Sequence, residues 1–441
     1  MLWFAGGSSR NEVPGQILVQ FVTWGTLFFA VLLAPPPASD SKAVLWLLMA
    51  IALVPLVQLI PLPPAIWQAL PGHAALSEAA RVSGQAQPWR PIAVVPGATL
   101  NALFALATPA AVLLLVAGLK ESSRGWLLGL IVALVTGAAL VGLVQFSGNR
   151  FEQPLIGYRY DVSGIFGNRN HFALFLAIGC VAVFAWSLDK SRGIGWRGAV
   201  ALGLPVLFVL TALASGSRAG TTATFAALIL GPLTVRENIR GLLIGRPRWV
   251  VPTLIAASLL LAASAITLSF VSGRADSIDR AMGGQFAEDM RARGLPTILM
   301  MTRDHFPVGI GMGDFDPVFR RYEPFELLKP TYFNQAHNDV LAAVLEGGLP
   351  GLLVLLLALF WWLHASVVVW RSLREHDPAA GQIVRARFGS AVLALVFVAS
   401  LVDYPARAPL MSATTALAAA LLAWGWTTRR PSSLPQAERS I

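Results

Sequence analysis

Eleven apolar runs of roughly 17 to 23 residues divide this 441-residue chain and limit its possible folds more than any other feature. Each run is long enough to cross a hydrocarbon layer of about 30 Å as a helix. A mean hydropathy of +0.65 with only 13% charged residues is far from that of soluble globular proteins. We therefore expect an all-α polytopic membrane protein with about 11 transmembrane helices, within a range of roughly 10 to 12. The runs lie near residues 16–34, 43–60, 101–119, 125–146, 171–188, 198–214, 219–235, 249–271, 348–370, 387–404 and 408–426.

The positions of the basic residues indicate how these runs are oriented. Loop 236–248 carries four arginines, and taking it as cytoplasmic fixes every other loop by alternation. The whole net charge of +10 then falls on the cytoplasmic side. The sequence pI of about 10.6 reflects this topology, so no nucleic-acid partner is expected. The external segments, which are periplasmic in a bacterium, are residues 61–100, 147–170, 215–220 and 272–347.

One long polar segment, residues 272–347, interrupts the apolar runs. It contains eight basic residues, namely Arg274, Arg280, Arg291, Arg293, Arg303, Arg320, Arg321 and Lys329. Arginine binds phosphate groups through paired hydrogen bonds and stays charged at any relevant pH. The segment is therefore suited to an anionic substrate that is anchored in the membrane.

This segment also defines the predicted organisation of the chain. Residues 1–271 carry the first eight transmembrane helices with short periplasmic loops, and residues 272–347 form a large periplasmic loop that carries site residues. Residues 348–428 carry the last three transmembrane helices, and residues 429–441 form a cytoplasmic tail.

Two helices are predicted within the large loop. The first covers about residues 286–305, and its candidate buried face consists of Met290, Leu295, Ile298, Leu299 and Met301. The glycine-rich stretch 307–313 ends this helix. The second begins near His337, and its candidate buried face consists of Val340, Leu341, Val344 and Leu345. Gly347 and Gly348 either end the second helix or kink it before the ninth span.

Three arginines on the external side are candidates for binding a phosphate. Arg218 lies between Gly216 and Gly220 at the start of a helix, where small neighbours and backbone amides favour an anion. The alternative is an arginine that extends toward lipid headgroups. Arg291 and Arg293 are two residues apart on the predicted helix, so they point in directions about 200° apart. We expect one of them to face the site while the other meets solvent or an acidic partner.

His337 is the best candidate for a general acid or base. It is predicted in the first turn of its helix, where the macrodipole disfavours a protonated imidazole. The alternative is a capping or interfacial histidine. His171 is the other external histidine at a span boundary, and Asn168 and Asn170 beside it either hydrogen-bond a sugar or cap the fifth span. With Asn338, these three residues form the set of candidate glycan-binding residues.

The sequence gives little support for a metal site or for transport. Asp314 and Asp316 have the spacing of the carboxylate pair that binds metal in many glycosyltransferases, but a turn explains them adequately. The lone Cys180 lies within a span, so neither a disulfide framework nor a zinc site is available. We expect no metal and no cofactor. His364 is the main ionisable residue within the spans, and this scarcity disfavours a flippase or exporter.

Four motifs on the predicted external side resemble a known family when taken together. They are Gly167-Asn-Arg-Asn-His171, Ser215-Gly-Ser-Arg-Ala-Gly220, His305-Phe-Pro-Val-Gly-Ile-Gly-Met-Gly-Asp-Phe315 and Ala336-His-Asn-Asp-Val-Leu-Ala-Ala-Val-Leu-Glu-Gly-Gly-Leu-Pro-Gly351. In this order they resemble the O-antigen ligase and O-antigen polymerase superfamily of bacterial inner membranes. The resemblance covers roughly residues 60–400.

The resemblance implies a metal-independent, inverting glycosyltransferase with a GT-C-like multispan architecture and its active site facing the periplasm. The implied donor is a glycan on undecaprenyl diphosphate. Arg218, with Arg291 or Arg293, matches the arginines that hold the diphosphate in this family. His337 matches the histidine that assists the acceptor.

The resemblance leaves the acceptor open. It is the lipid A core for an O-antigen ligase and another lipid-linked saccharide for an O-antigen or exopolysaccharide polymerase. A glycan-to-protein transferase is a further alternative, and a polysaccharide flippase or exporter is a disfavoured one. The chain departs from the commoner family pattern at Arg169, where a proline often stands, and in lacking a tryptophan after Arg293. The second departure leaves the choice between Arg291 and Arg293 open.

Overall fold

The computed structural model describes most of the chain, and the described part is helical. It comprises residues 1–10, 12–33, 39–148, 153–157, 162–188, 195–244, 247, 249, 285–328, 333–372 and 380–427. No β-strand occurs among these residues, and one isolated antiparallel bridge pairs Leu62 with Arg90. The helices are α1 (Leu2–Ala5), α2 (Pro14–Leu33), α3 (Lys42–Gln58), α4 (Pro64–Trp67), α5 (Ala74–Val82), α6 (Pro96–Ala105), α7 (Ala107–Ala117), α8 (Glu121–Arg124), α9 (Trp126–Phe146), α10 (Arg169–Leu188), α11 (Trp196–Ala214), α12 (Arg218–Thr234), α13 (Arg236–Leu243), α14 (Gln285–His305), α15 (Phe315–Tyr322), α16 (Asp339–Arg371), α17 (Ala380–Ser400) and α18 (Pro409–Thr427).

Eight segments of the described chain are long and apolar enough to cross a membrane. They are Pro14–Leu33, Pro96–Ala117, Trp126–Phe146, Arg169–Leu188, Trp196–Ala214, Asp339–Arg371, Gly381–Ser400 and Pro409–Thr427. The expectation of an all-α polytopic membrane protein is therefore confirmed. Helices α3 and α12, each of 17 residues, also coincide with predicted runs. The run 249–271 lies almost entirely outside the described residues, so the count of eleven spans stays a prediction, as does the division into domains.

Helix α10 occupies the centre of the bundle. It packs against α9, α11, α12 and α17, and its side chains are buried around nearly the whole helix. A helix that other helices surround has this apolar pattern on every face. The contact with α12 is especially close, because a Cβ atom at Gly220 would overlap the side chain of Ala173. In contrast, α2 and α16 direct large apolar side chains outward, among them Phe21, Leu353 and Phe360.

The loops separate into two groups at opposite ends of α10. At the Leu188 end, Asn238 donates a hydrogen bond to the Leu188 carbonyl oxygen, and the buried Arg387 pairs with Glu237. At the other end, Asn170 contacts the turn that follows α17. The first group belongs to the loops that the basic residues predict to be cytoplasmic, and the second to the loops predicted to be external. The two groups therefore agree with the predicted alternation.

The buried face of α14 differs from the sequence prediction. Ile298 and Met301 are buried as predicted, but Leu295 and Leu299 are 43% and 51% exposed. The side chain of Met290 lies outside the described residues. Among the described residues, α14 packs against Phe333, α15 and α16 through the side that carries Ile298 and Met301, and the two leucines lie away from that side.

The buried face of α16 also differs from the prediction. The helix begins at Asp339, close to the predicted start near His337, and Asn338 caps it by accepting a hydrogen bond from the Leu341 N–H at 2.9 Å. Ala342 and Leu345 are the buried apolar residues of its first turns, and Val340 and Val344 are only partly buried. Of the four residues of the predicted face, Leu345 is fully buried and the other three are partly buried.

Gly348 kinks α16 and adopts a backbone conformation in which any residue with a side chain would be strained. Its φ of 61° and ψ of −149° are non-helical, and a Cβ atom there would overlap the carbonyl oxygen of Pro307. Gly348→Ala should therefore destabilise the protein by roughly 2 to 4 kcal/mol through backbone strain and displaced packing. A lower midpoint of thermal unfolding in detergent would show this. Gly347→Ala is the matched control, because its Cβ would make ordinary contacts of 3.5 Å and longer, and equal midpoints for the two variants would contradict the prediction.

Candidate functional site

The centre of the candidate site is Asp403, in the turn between α17 and α18. Its carboxylate is only 2% exposed. The Oδ2 atom accepts hydrogen bonds from Asn170 Nδ2 at 2.7 Å and from Asn168 Nδ2 at 3.2 Å. The predicted run 387–404 placed this residue inside a span, but α17 ends at Ser400. Asp403 therefore lies in a turn at the end of the bundle where the predicted external segments meet.

The two histidines predicted at external span boundaries, His337 and His171, both face this carboxylate. His337 Nδ1 lies 3.4 Å from Asp403 Oδ1, and His171 Nε2 lies 3.9 Å from Oδ2. The ring of Tyr404 contacts both imidazoles edge to face, with centroid distances of 4.9 Å to His337 and 5.3 Å to His171. Residues more than 160 positions apart in the sequence thus meet around one acidic group.

His337 differs in one respect from its prediction. It precedes the helix cap Asn338 and therefore lies outside the first turn of α16. Its φ of 50° is in the left-handed region, which is uncommon for a residue other than glycine and concentrates at functional sites. This conformation brings Nδ1 toward Asp403 while the side chain remains 20% exposed. Because Nδ1 faces the carboxylate, Nε2 is the nitrogen that is left to exchange a proton with a substrate.

The asparagines of the first motif make contacts within the protein. Asn168 Oδ1 accepts the backbone N–H of Asn170 at 2.8 Å, which caps the start of α10. The side-chain amides of both asparagines donate to Asp403. Asn338 caps α16 and donates to the Leu401 carbonyl oxygen at 2.9 Å. These contacts agree with the capping alternative, and the role of these residues and His171 in glycan binding stays a prediction.

Arg218 lies directly beside this cluster. It is the first residue of α12, and Ser217 caps the helix by accepting the Gly220 N–H at 3.0 Å. The turn before it relies on Gly216, whose φ is 64°. The Arg218 side chain is exposed. A small pocket opens beside it, lined by Asn170, His171, Ala219, Gly220, Asp403 and Pro405 among others.

The other two arginines belong to α14, which packs against the ring of Phe333 at Gly294. A Cβ atom at Gly294 would lie 3.4 Å from the ring of Phe333, and that ring is 5.1 Å from His337 between centroids. Arg293 is exposed and donates to the Glu326 carbonyl oxygen at 3.5 Å. The side chain of Arg291 lies outside the described residues. Which of Arg291 and Arg293 would contact a diphosphate therefore stays open.

A second charged network, beside Asp403, fixes the turn that carries it. Arg407 lies 2.9 Å from the buried Glu346 and 3.5 Å from Asp339. Ser400 donates to Asp339 at 3.0 Å, and the Gly313 N–H donates to Glu346 at 2.9 Å. Burial opposes the charge of Arg407, but Glu346 and Asp339 outweigh burial and raise its pKa. The network joins the start of α16, the end of α17 and the glycine-rich stretch 307–313.

Asp403 and Arg407 are the site residues that sequence reasoning missed. Asp403 was included in an apolar run, and Arg407 follows it in the short stretch Val402-Asp-Tyr-Pro-Ala-Arg-Ala408. The signal that marks this stretch is an acidic residue before Tyr-Pro, between two apolar runs and on the same predicted side as His337. A proline at this place indicates a turn and not a continued span.

The two aspartates with metal-site spacing have separate partners. Asp314 is fully buried and accepts hydrogen bonds from the Val95 N–H at 2.7 Å and from Thr99 Oγ1 at 3.2 Å. Asp316 lies at the surface and pairs with Arg320 at 3.0 Å. The Asp314 carboxylate thus connects the start of α6 to the start of α15. The Asp316 carboxylate forms a surface ion pair.

The burial of Asp314 makes stability depend on pH. Burial raises the pKa of this carboxyl from 3.8 to about 7, and nearby Glu346 adds to the shift. The folded protein therefore binds this proton more tightly than the unfolded chain, so the stabilisation present at acidic pH is lost as pH rises to about 7. Asp314→Asn should flatten this part of the profile of unfolding midpoint against pH, and Asp316→Asn should leave it unchanged. An identical slope in wild type and Asp314→Asn would contradict the prediction.

Taken together, the helices and the site define a polytopic all-α membrane protein with a histidine, carboxylate and arginine site at one end of its bundle. A family model described as O-Antigen ligase matches residues 204–356. The match confirms the resemblance to the O-antigen ligase and polymerase superfamily, and it supports a glycosyltransferase-like enzyme of that type. Arg218, α14 and His337 lie within the matched residues, whereas Asp403 and Asn170 lie beyond them. No curated protein matches the chain.

Proposed function

We propose that this protein transfers a glycan from undecaprenyl diphosphate to a sugar hydroxyl of the lipid A core, at the periplasmic face of the bacterial inner membrane. The observation that carries the proposal is the His337 imidazole held 3.4 Å from the buried Asp403 carboxylate. Arg218, an exposed cation at a helix start, lies beside the same cluster. A base, its carboxylate and a cation for a phosphate are the groups that such a transfer requires.

In the proposed reaction, the acceptor hydroxyl oxygen attacks the anomeric carbon of the donor glycan. A new carbon–oxygen bond forms while the bond from that carbon to the phosphate oxygen breaks, and the electron pair leaves with the diphosphate. The hydroxyl proton passes to Nε2 of His337. Attack from the side opposite the leaving group inverts the configuration at the anomeric carbon.

The protein groups have separate roles in this reaction. Asp403 holds the His337 ring through Nδ1 and stabilises the imidazolium that forms. Arg218, with Arg291 or Arg293, stabilises the charge that develops on the leaving diphosphate, so that neither a metal ion nor a cofactor is required. The donor carries its own activated linkage.

Deletion of the gene distinguishes the acceptors. Loss of a ligase should leave finished polymer on undecaprenyl diphosphate together with unmodified lipid A core, as seen by gel analysis of lipopolysaccharide and of the lipid-linked fraction. Core capped by a single repeat would instead identify a polymerase. Lipid-linked glycan trapped on the cytoplasmic side would identify an exporter and contradict the proposal.

A further inference from the structure

A continuous series of hydrogen bonds connects the start of α12 to Asp403. The Gly220 N–H donates to Ser217 Oγ at 3.0 Å, and Ser217 Oγ donates to Asn170 Oδ1 at 2.7 Å. Asn170 Nδ2 then donates to Asp403 Oδ2 at 2.7 Å. Ser217 and Asp403 are both 2% exposed. Within this series, Asn170 is the residue that connects Ser217 to Asp403.

The directions of the bonds in this series are consistent with one another. An ionised carboxylate only accepts hydrogen bonds, so the amide nitrogen of Asn170 faces Asp403 and its carbonyl oxygen faces Ser217. The Ser217 hydroxyl must then donate to Asn170, because an amide carbonyl oxygen can only accept, while a lone pair of the same hydroxyl accepts the Gly220 N–H as the helix cap. Bonds that all point in one direction polarise and strengthen one another.

We propose that Asn170 is a positioning residue that sets the place of Arg218 relative to the His337–Asp403 pair. Its side chain fixes the carboxylate on one side and the helix start that carries Arg218 on the other. Asn170 itself belongs to α10, the buried central helix, so both halves of the site are attached to the same rigid element. This inference rests on the proposed function and gives Asn170 a role separate from glycan binding.

Asn170→Asp tests the inference through the pH profile. The variant places a second carboxylate where the amide donated to Asp403, and two carboxylates at that distance hold one proton between them. At alkaline pH, where that proton is lost, we expect kcat to fall about 10- to 100-fold. As pH decreases, the shared proton restores a hydrogen bond to Asp403, so the ratio of variant to wild-type rate should rise. The measurement is the initial rate of purified protein in detergent with a lipid-diphosphate glycan donor.

Ser217→Ala tests the other end of the series. Loss of the hydroxyl removes the helix cap and the bond to Asn170, so Arg218 is less well held. We expect a several-fold higher KM for the donor, with a pH profile like that of the wild type. Thr222→Ala is the control, because it removes an exposed hydroxyl from the same helix that bonds only within α12.

The outcomes separate this inference from the proposed function. A folded Asn170→Asp protein whose rate ratio is independent of pH would overturn the positioning role. If that variant does not fold, a wild-type donor KM in Ser217→Ala would overturn it. If either result is obtained while the wild type is active and His337→Ala is inactive, the proposed function remains intact. An inactive wild type under the same conditions contradicts the proposed function itself.

Discussion

Asp403→Asn should lower the rate of glycan transfer roughly 100- to 10,000-fold while the protein still folds and inserts. The substitution keeps the size of the side chain but removes the charge that stabilises an imidazolium at His337. It also offers an N–H group to Nδ1 of His337, which favours the wrong tautomer for a base at Nε2. Initial rates with purified protein, normalised to the amount of folded protein, measure the effect.

Asp316→Asn is the matched control for this prediction. It makes the same chemical change at an aspartate whose partner is the surface residue Arg320, and we expect wild-type rates from it. Surface ion pairs of this kind contribute about 1 kcal/mol or less to stability. Activity in Asp403→Asn close to that of the control would contradict the role assigned to Asp403.

His337→Ala and Arg218→Ala should abolish transfer while leaving membrane insertion intact. Loss of a positioned general base costs about 100- to 10,000-fold in rate, and loss of a cation at the leaving group costs roughly 100-fold or more. The arginine variant should also bind the lipid-diphosphate donor more weakly, whereas the histidine variant should retain donor binding. Rates and donor binding measured on the same preparations separate the two roles.

Two further substitutions serve as controls for this pair. His364→Ala removes an exposed histidine of α16 that contacts Phe360 and Trp426, away from the site. Arg81→Ala removes an exposed arginine that pairs with Glu78. We expect wild-type activity from both. Retained activity in both His337→Ala and Arg218→Ala would refute the proposed mechanism.

The sequence predicts the membrane helices well because hydrophobic length is a local property. The runs near 125–146 and 408–426 coincide with α9 and α18 to within one residue at each end. Helix faces outside the membrane are predicted less well, as Leu295 and Leu299 show, because both sides of such a helix can carry apolar residues. Which side is buried depends on a neighbour, here Phe333, that lies far away in the sequence.

The candidate site shows the same limit. His337, Arg218 and the Asn168–His171 motif were each predicted at external ends of helices, and all lie at one end of the bundle. Asp403, which lies against His337, His171 and both asparagines, was missed. Its importance comes from packing between α10, α16 and α17 and not from its neighbours in the sequence. The left-handed backbone of His337 likewise has no signature in its local sequence, and its ring contacts Tyr404, which lies far away along the chain.

The burial of α10 bears on how the proposed lipid-linked glycan would reach and leave the site. A helix enclosed by four others cannot shift without disrupting the whole bundle, so it should be among the slowest parts of the molecule in amide hydrogen exchange. Because α10 is held in place, we expect the movements that admit substrate and release product to occur in peripheral elements such as α14. Turnover would then depend on the mobility of such peripheral elements and not on movement of α10.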